Sequence, residues 1–170
     1  EPWRVHNVGS PGLDNLLRVP YKSKKVLARE MNLDPSKPWF VVLQHPTPLD
    51  SVSIKDQITP TLQAVGEFDA EKIVIYPNSD TGSDTFIREI EKLSSKKGFH
   101  VHKNVPRNTY LSLLKASDVL VGSSSSGIIE SGYFKLPTVN IGKRQEGREC
   151  GKNVLHVEYD RKAISRAIAQ

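Results

Sequence analysis

Short runs of consecutive apolar residues recur along this chain, and between them the apolar positions spread out to spacings of three and four. WFVVLQ (39–44), KIVIYP (72–77), DVLVG (118–122) and PTVNIG (137–142) each hold several apolar or β-branched residues in a row. Runs of this kind suit strands buried on both faces, as in a parallel sheet. RVHNVG (4–9), FHVHKN (99–104) and NVLHV (153–157) are weaker strand candidates.

The intervening segments read as helices. SIKDQITPTLQAVGEF (53–68) sets Ile54, Ile58, Leu62 and Val65 on one stripe, with Pro60 expected to kink the helix or shift its start. SDTFIREIEKLSSKKG (83–98) is a stronger helix, with Ser83 or Asp84 as its cap and Gly98 as its stop. NTYLSLLKAS (108–117) and DRKAISRAIAQ (160–170) complete the series. Strand and helix alternate throughout, without internal repeat or linker. The pattern predicts one α/β domain with a doubly wound, mostly parallel, Rossmann-like sheet. Ligands of such sheets bind outside the carboxyl ends of the strands, so the loops there are where chemistry is sought.

Composition narrows the function. At 170 residues, 37% hydrophobic and 25% charged, the chain is long enough for one domain with a real core. No stretch of about 18 apolar residues is present to span a membrane, and no signal peptide is evident. The opening EPWRVHNVGSPG has no initiating Met, and the chain is expected to be cut from something longer. The single cysteine, Cys150, can form neither an internal disulfide nor a cysteine zinc site, and a reducing, cytoplasmic setting is expected. The net charge of +5 raises a nucleic-acid partner. Yet the basic residues are scattered, and the small clusters KSKK (22–25) and SSKK (94–97) lack interleaved aromatics. They read as solvated helix faces, and a small anion fits the charge better than a polymer.

Three strand ends carry candidate chemistry. His45 follows the first strong strand, in a loop stiffened by Pro46 and Pro48. It is either satisfied by local backbone or a donor to a phosphate oxygen. Asn78 and Ser79 follow the second and either cap the next helix or reach a ligand. The third is GSSSSG (122–127), expected to turn from a strand into a helix beginning at Ile128. Hydroxyls and free N–H groups then converge on one point, which makes either a plain helix cap or a phosphate cradle. It is not a Walker A loop, and no GxGxxG fingerprint is present. Downstream, Glu130 either supports the cap or accepts hydrogen bonds from two vicinal ribose hydroxyls. Lys143, Arg144 and Arg148 share a loop in which an arginine fork could meet a diphosphate. Cradle, acid and basic loop in that order point to a sugar nucleotide.

The stretch GSSSSGIIESGYFKLPTVNIGKRQEGRECGKNVLHV, with GSPGLDNLL, LQHP and YPNSDTGSD in the same order, resembles the hydrolysing UDP-N-acetylglucosamine 2-epimerases. That family carries Gly-Asn-Ser-Ser-x-Gly, a glutamate, then Pro-x-x-Asn-x-Gly-x-Arg-Gln-x-Gly-Arg. The resemblance spans essentially all of residues 1–170 and implies the carboxy-terminal, UDP-binding half of a two-domain GT-B-type enzyme. The amino-terminal partner domain, with most acid–base carboxylates, and the last family helices are then absent from this chain. It implies Ser124 and Ser125 on the diphosphate, Glu130 on the ribose and Arg144 on the phosphate side. His45 would face diphosphate and substrate as the catalytic residue of this half, with Asn78 and the Val105 region lining the nucleotide pocket. The implied reaction converts UDP-N-acetylglucosamine and water to N-acetylmannosamine and UDP, through a glycal, with no metal or other cofactor. The full-length enzyme is expected to be a homo-oligomer, and this half alone to bind nucleotide weakly without turnover.

Two positions depart from the pattern: Ser123 stands where Asn is usual, and Ile129 where Arg is frequent. The serine run still sides with the hydrolysing branch, since non-hydrolysing relatives usually carry Asp-Ser-Gly-Gly. Two other readings stay open, the donor-nucleotide domain of a GT-B glycosyltransferase and a stand-alone, non-enzymatic nucleotide sensor.

Overall fold

A computed structural model describes residues 2–9 and 11–170. Among the described residues six parallel strands form one sheet: β1 (Trp39–Leu43), β2 (Glu71–Ile75), β3 (Phe99–His102), β4 (Val119–Gly122), β5 (Thr138–Ile141) and β6 (Val154–Val157). Their order across the sheet is β3-β2-β1-β4-β5-β6. The helices are α1 (Pro11–Asp14), α2 (Lys24–Met31), α3 (Ile54–Val65), α4 (Ser83–Glu91), α5 (Arg107–Ala116), α6 (Glu130–Phe134) and α7 (Arg161–Ile168).

The two-residue period of the strands builds a core on each face. Val41, Leu43, Ile73 and Leu120 point to one side, where Leu16, Leu27, Leu111 and Leu136 meet them. Val42, Val74, Val121 and Ile141 point to the other, against Ile58, Leu62, Phe86 and Ile164. β1, β2 and β4 are buried along their whole length, so β1 and β4 appear in the sequence as apolar runs, while β2 opens on the buried Glu71 and Lys72 before its apolar Ile73–Ile75. Trp39 is fully buried and its indole N–H donates to the Asp34 carbonyl at 2.8 Å, so its one polar atom is satisfied. Among the described residues no helix is long and apolar enough to cross a membrane.

Three local expectations need correction. RVHNVG is not a strand: a 3-10 turn covers Pro2–Arg4, residues 5–9 are irregular, and Val5 and Val8 are exposed. Those valines are three apart, off the strand period, and among the described residues this segment pairs with neither edge strand, β3 nor β6. Pro60 does not shift α3, which starts at Ile54 behind a Ser53 cap and runs through the proline. The carbonyl it leaves without a helical donor belongs to Asp56, an exposed residue. α4 ends at Glu91, well before Gly98, and neither Ser83 nor Asp84 caps it. Gly82, at φ +97°, is its N-cap, while the Ser83 hydroxyl turns back to the carbonyls of Asn78 and Asp80.

Candidate functional site

The chain leaves β1 toward β2 on one side and β4 toward β5 on the other, so the loops after β1 and β4 part and open a crevice. Leu43 and Gly122, the last residues of these strands, are register partners. Gly122 has φ +143°, and a Cβ there would lie 2.1 Å from the Leu43 carbonyl oxygen. Only glycine lets the two strand ends approach this closely.

Immediately beyond, the buried Ser123 hydroxyl accepts the His45 N–H at 3.0 Å and donates to the His45 carbonyl at 3.1 Å. This clamp fixes where the His45 side chain departs. The imidazole is half-buried and its Nδ1 accepts the Asn78 N–H at 3.0 Å. Burial, with the nearby Arg144 charge adding to it and Asp80 partly opposing, pushes His45 down to about 4. At neutral pH the ring is therefore uncharged, and with Nδ1 accepting, its proton sits on Nε2 as a single donor.

The serine turn is tighter than the sequence suggests. A 3-10 turn covers Ser125–Gly127, and α6 starts at Glu130 rather than at Ile128. The Ser124 hydroxyl accepts the Ser126 N–H at 3.3 Å, and the N–H groups of residues 127–129 go to the carbonyls of Ser124 and Ser125. Among the described residues, the Ser124 and Ser125 N–H groups make no hydrogen bond, which leaves two donors in the turn for an anion. Because α6 has only five residues, these donors and the hydroxyls, not a long helix dipole, make the turn fit for negative charge. Glu130 is half-buried behind the turn. Tyr110 of α5 places its enclosed hydroxyl beside Ser126, Ser124 and Glu130 without a well-formed hydrogen bond to any of them, and burial pushes it up to about 12.

The loop after β5 closes the crevice. Arg144 Nη1 and Gln145 Nε2 both donate to the Ser123 carbonyl, at 3.3 and 2.9 Å. Arg144 Nη2 lies 3.8 Å from Asp80 Oδ2, which also accepts from Asn78 Nδ2 at 2.5 Å. Asp80 thus ties the loop after β2 to the loop after β5, across the crevice. Tyr159 packs on Gly142 and donates to Asp50 at 3.2 Å, bracing the His45 loop from the other side.

Of the residues singled out from sequence, His45, Asn78, Ser124, Ser125, Glu130 and Arg144 gather at the carboxyl ends of β1, β2, β4 and β5. Val105, in the loop after β3, is half-buried against the Leu111 core and stands outside the hydrogen-bonded network. Four contributions were not legible beforehand: the Ser123 clamp, the Asp80 bridge, the Gln145 support and the Tyr110 hydroxyl. Gln145 lies within RQEGR and is 3% exposed, but a lone glutamine in a charged loop carries no burial signal. Tyr110 sits next to the Leu111–Leu114 stripe and reads as core.

Fold and crevice together define a Rossmann-like α/β domain with a hydroxyl-lined turn and an arginine at the mouth of its switch point, the fold of one half of a GT-B-type protein. The sequence model of the UDP-N-acetylglucosamine 2-epimerase family matches residues 1–170, and the chain belongs to that family. It is 36% identical to polysialic acid biosynthesis protein P7 of Escherichia coli over 170 residues, covering 99% of this chain and 43% of that protein. It is 34% identical to the UDP-N,N'-diacetylbacillosamine 2-epimerase (hydrolyzing) of Legionella pneumophila, covering 94% of this chain and 42% of that one. A similar fold occurs in the Methanocaldococcus jannaschii UDP-GlcNAc 2-epimerase solved with UDP-GlcNAc and UDP. The TM-score is 0.74 at 15% identity, over 99% of this chain and 48% of that one. The chain thus spans less than half the length of these relatives.

Proposed function

We propose that this chain is the UDP-binding half of a hydrolysing UDP-N-acetylglucosamine 2-epimerase. The observation that carries the reading is the convergence of the neutral His45, the serine turn and Arg144 on one crevice, in a chain of this family. Ser124 and Ser125 hold the diphosphate with hydroxyls and free N–H groups. Glu130 accepts from the ribose hydroxyls, and Arg144 answers the phosphate charge. Asn78 and Val105 line the nucleotide side.

In the reaction, a base on the facing domain takes the proton from C2 of the sugar. The C1–O bond breaks and its electron pair leaves with UDP, giving the glycal. Water then adds hydroxide at C1 and a proton returns to C2 from the opposite face, which yields N-acetylmannosamine. Negative charge grows on the departing diphosphate, where the His45 Nε2–H and Arg144 offer donors already in place. The ordinary work of His45 is to donate a hydrogen bond without gaining a proton. The single free thiol supports a cytoplasmic setting, and the family resemblance supports a homo-oligomeric full-length enzyme.

The test is product analysis on the full-length protein in heavy water with UDP-N-acetylglucosamine alone. Free UDP and N-acetylmannosamine carrying deuterium at C2 are expected. Consumption only on adding a sugar acceptor would identify a glycosyltransferase instead. Turnover of UDP-N,N'-diacetylbacillosamine in place of UDP-N-acetylglucosamine would keep the chemistry and change the sugar.

A further inference from the structure

One turn into α5, Tyr110 packs its ring on the Leu111 side of the core, where α5 lies against α6. Its hydroxyl is enclosed beside Ser126, Ser124 and Glu130 and has no hydrogen-bond partner among the described residues. Glu130, the first residue of α6, is half-buried. Among the described residues its carboxylate makes neither a hydrogen bond nor a salt bridge. A phenol that can donate and a carboxylate that can only accept thus stand together behind the serine turn, both unpaired. The phenol has lost its hydration with no bond in exchange, which a native fold tolerates only for a reason.

We propose that Tyr110 is a positioning residue for ribose recognition: when two vicinal hydroxyls of a nucleotide engage Glu130, the Tyr110 hydroxyl donates to the same carboxylate and fixes its orientation. This role rests on the UDP reading of the crevice and extends it. A carboxylate has about four acceptor sites, so Glu130 can take both ribose hydroxyls and still accept from the phenol. The other two neighbours are less suited. Ser124 and Ser126 are themselves donors, and a serine turn holding a diphosphate directs its protons there; Glu130 alone has nothing to donate. Burial, aided by the Glu130 charge, keeps the phenol protonated and therefore a donor at neutral pH. Its bond to a carboxylate is charge-assisted and stronger than one to a serine. Tyr110 acts through Glu130 and not on the nucleotide.

The experiment is calorimetric titration of the full-length protein and its Tyr110→Phe variant with UDP and with 2′,3′-dideoxy-UDP, which lacks both ribose hydroxyls. The parent should favour UDP over the dideoxy nucleotide by at least about tenfold. Tyr110→Phe should weaken UDP by about three- to tenfold and leave the dideoxy nucleotide within about twofold, so the preference narrows. A merely structural role would weaken both nucleotides alike, and that result would overturn the proposal. In a Glu130→Ala background, adding Tyr110→Phe should change UDP affinity by less than about twofold, because the acceptor is gone. The hydroxyl has no bond to lose in the free protein, so Tyr110→Phe should keep the thermal midpoint, which separates a lost contact from a lost fold. A parent that does not bind UDP would overturn the nucleotide reading and this role with it. A parent that prefers UDP, beside a folded Tyr110→Phe variant with the same preference, would overturn the role of Tyr110 alone.

Discussion

The Ser123 hydroxyl holds both backbone groups of His45, accepting its N–H at 3.0 Å and donating to its carbonyl at 3.1 Å. One side chain therefore ties the ends of β1 and β4 together at the point where the crevice opens. Ser123→Ala leaves both His45 groups to find other partners in a buried setting. The expected loss is about 1 to 3 kcal/mol of stability, readable as a lower urea midpoint. An unchanged midpoint would mean that the clamp contributes nothing net.

His45 makes stability depend on pH with a definite sign. Its native value is about 4 and its ordinary value 6.5, so between these limits the unfolded chain holds a proton that the native chain does not. The contribution is therefore fully present above about pH 6.5 and is lost as the pH falls toward 4. Urea midpoints at pH 7 and pH 5 should drop further in the parent than in His45→Gln. Identical drops would assign the acid sensitivity to other groups.

Gly122→Ala tests the approach of the strands. Its Cβ would stand 2.1 Å from the Leu43 carbonyl in a region of φ that side chains rarely adopt. Overpacking and backbone strain together predict a loss of about 3 kcal/mol or more, seen as a much lower thermal midpoint. Gly147→Ala provides the comparison, since a Cβ there meets nothing within 4 Å, although its φ of +77° keeps some strain.

Tyr110→Phe is expected to leave stability within about 1 kcal/mol of the parent, or to raise it. The hydroxyl is enclosed without a well-formed hydrogen bond, so removing it sacrifices no bond and relieves a desolvated group. A loss of several kcal/mol on thermal melting would show that the hydroxyl is paired with the serine turn after all.

The fold was legible because its strands are buried on both faces, and Val41–Leu43 or Leu120–Val121 can only be read as inner strands. Helix ends were less legible. Gly98 looked like a helix stop, yet its φ of +77° serves the turn into β3, where a Cβ would meet the Ala70 carbonyl. Val5 and Val8 looked like strand residues because apolar content alone does not reveal that no neighbouring strand awaits them. At the site, residue types that face a ligand were visible as a motif, whereas the residues that hold them were not. Ser123 acts through His45 and Asp80 through Arg144, each partner more than sixty positions away, and no local pattern records such partners.

The central claim is that the crevice between β1 and β4 is a UDP site, and calorimetric titration of UDP into this chain tests it most directly. The parent should bind UDP, and Glu130→Ala and Arg144→Ala should each weaken binding. Losing a charge-assisted hydrogen bond costs about 1.5 to 3 kcal/mol, roughly ten- to a hundredfold in affinity. If both variants bound UDP as tightly as the parent, the nucleotide would lie elsewhere and the site assignment would be wrong.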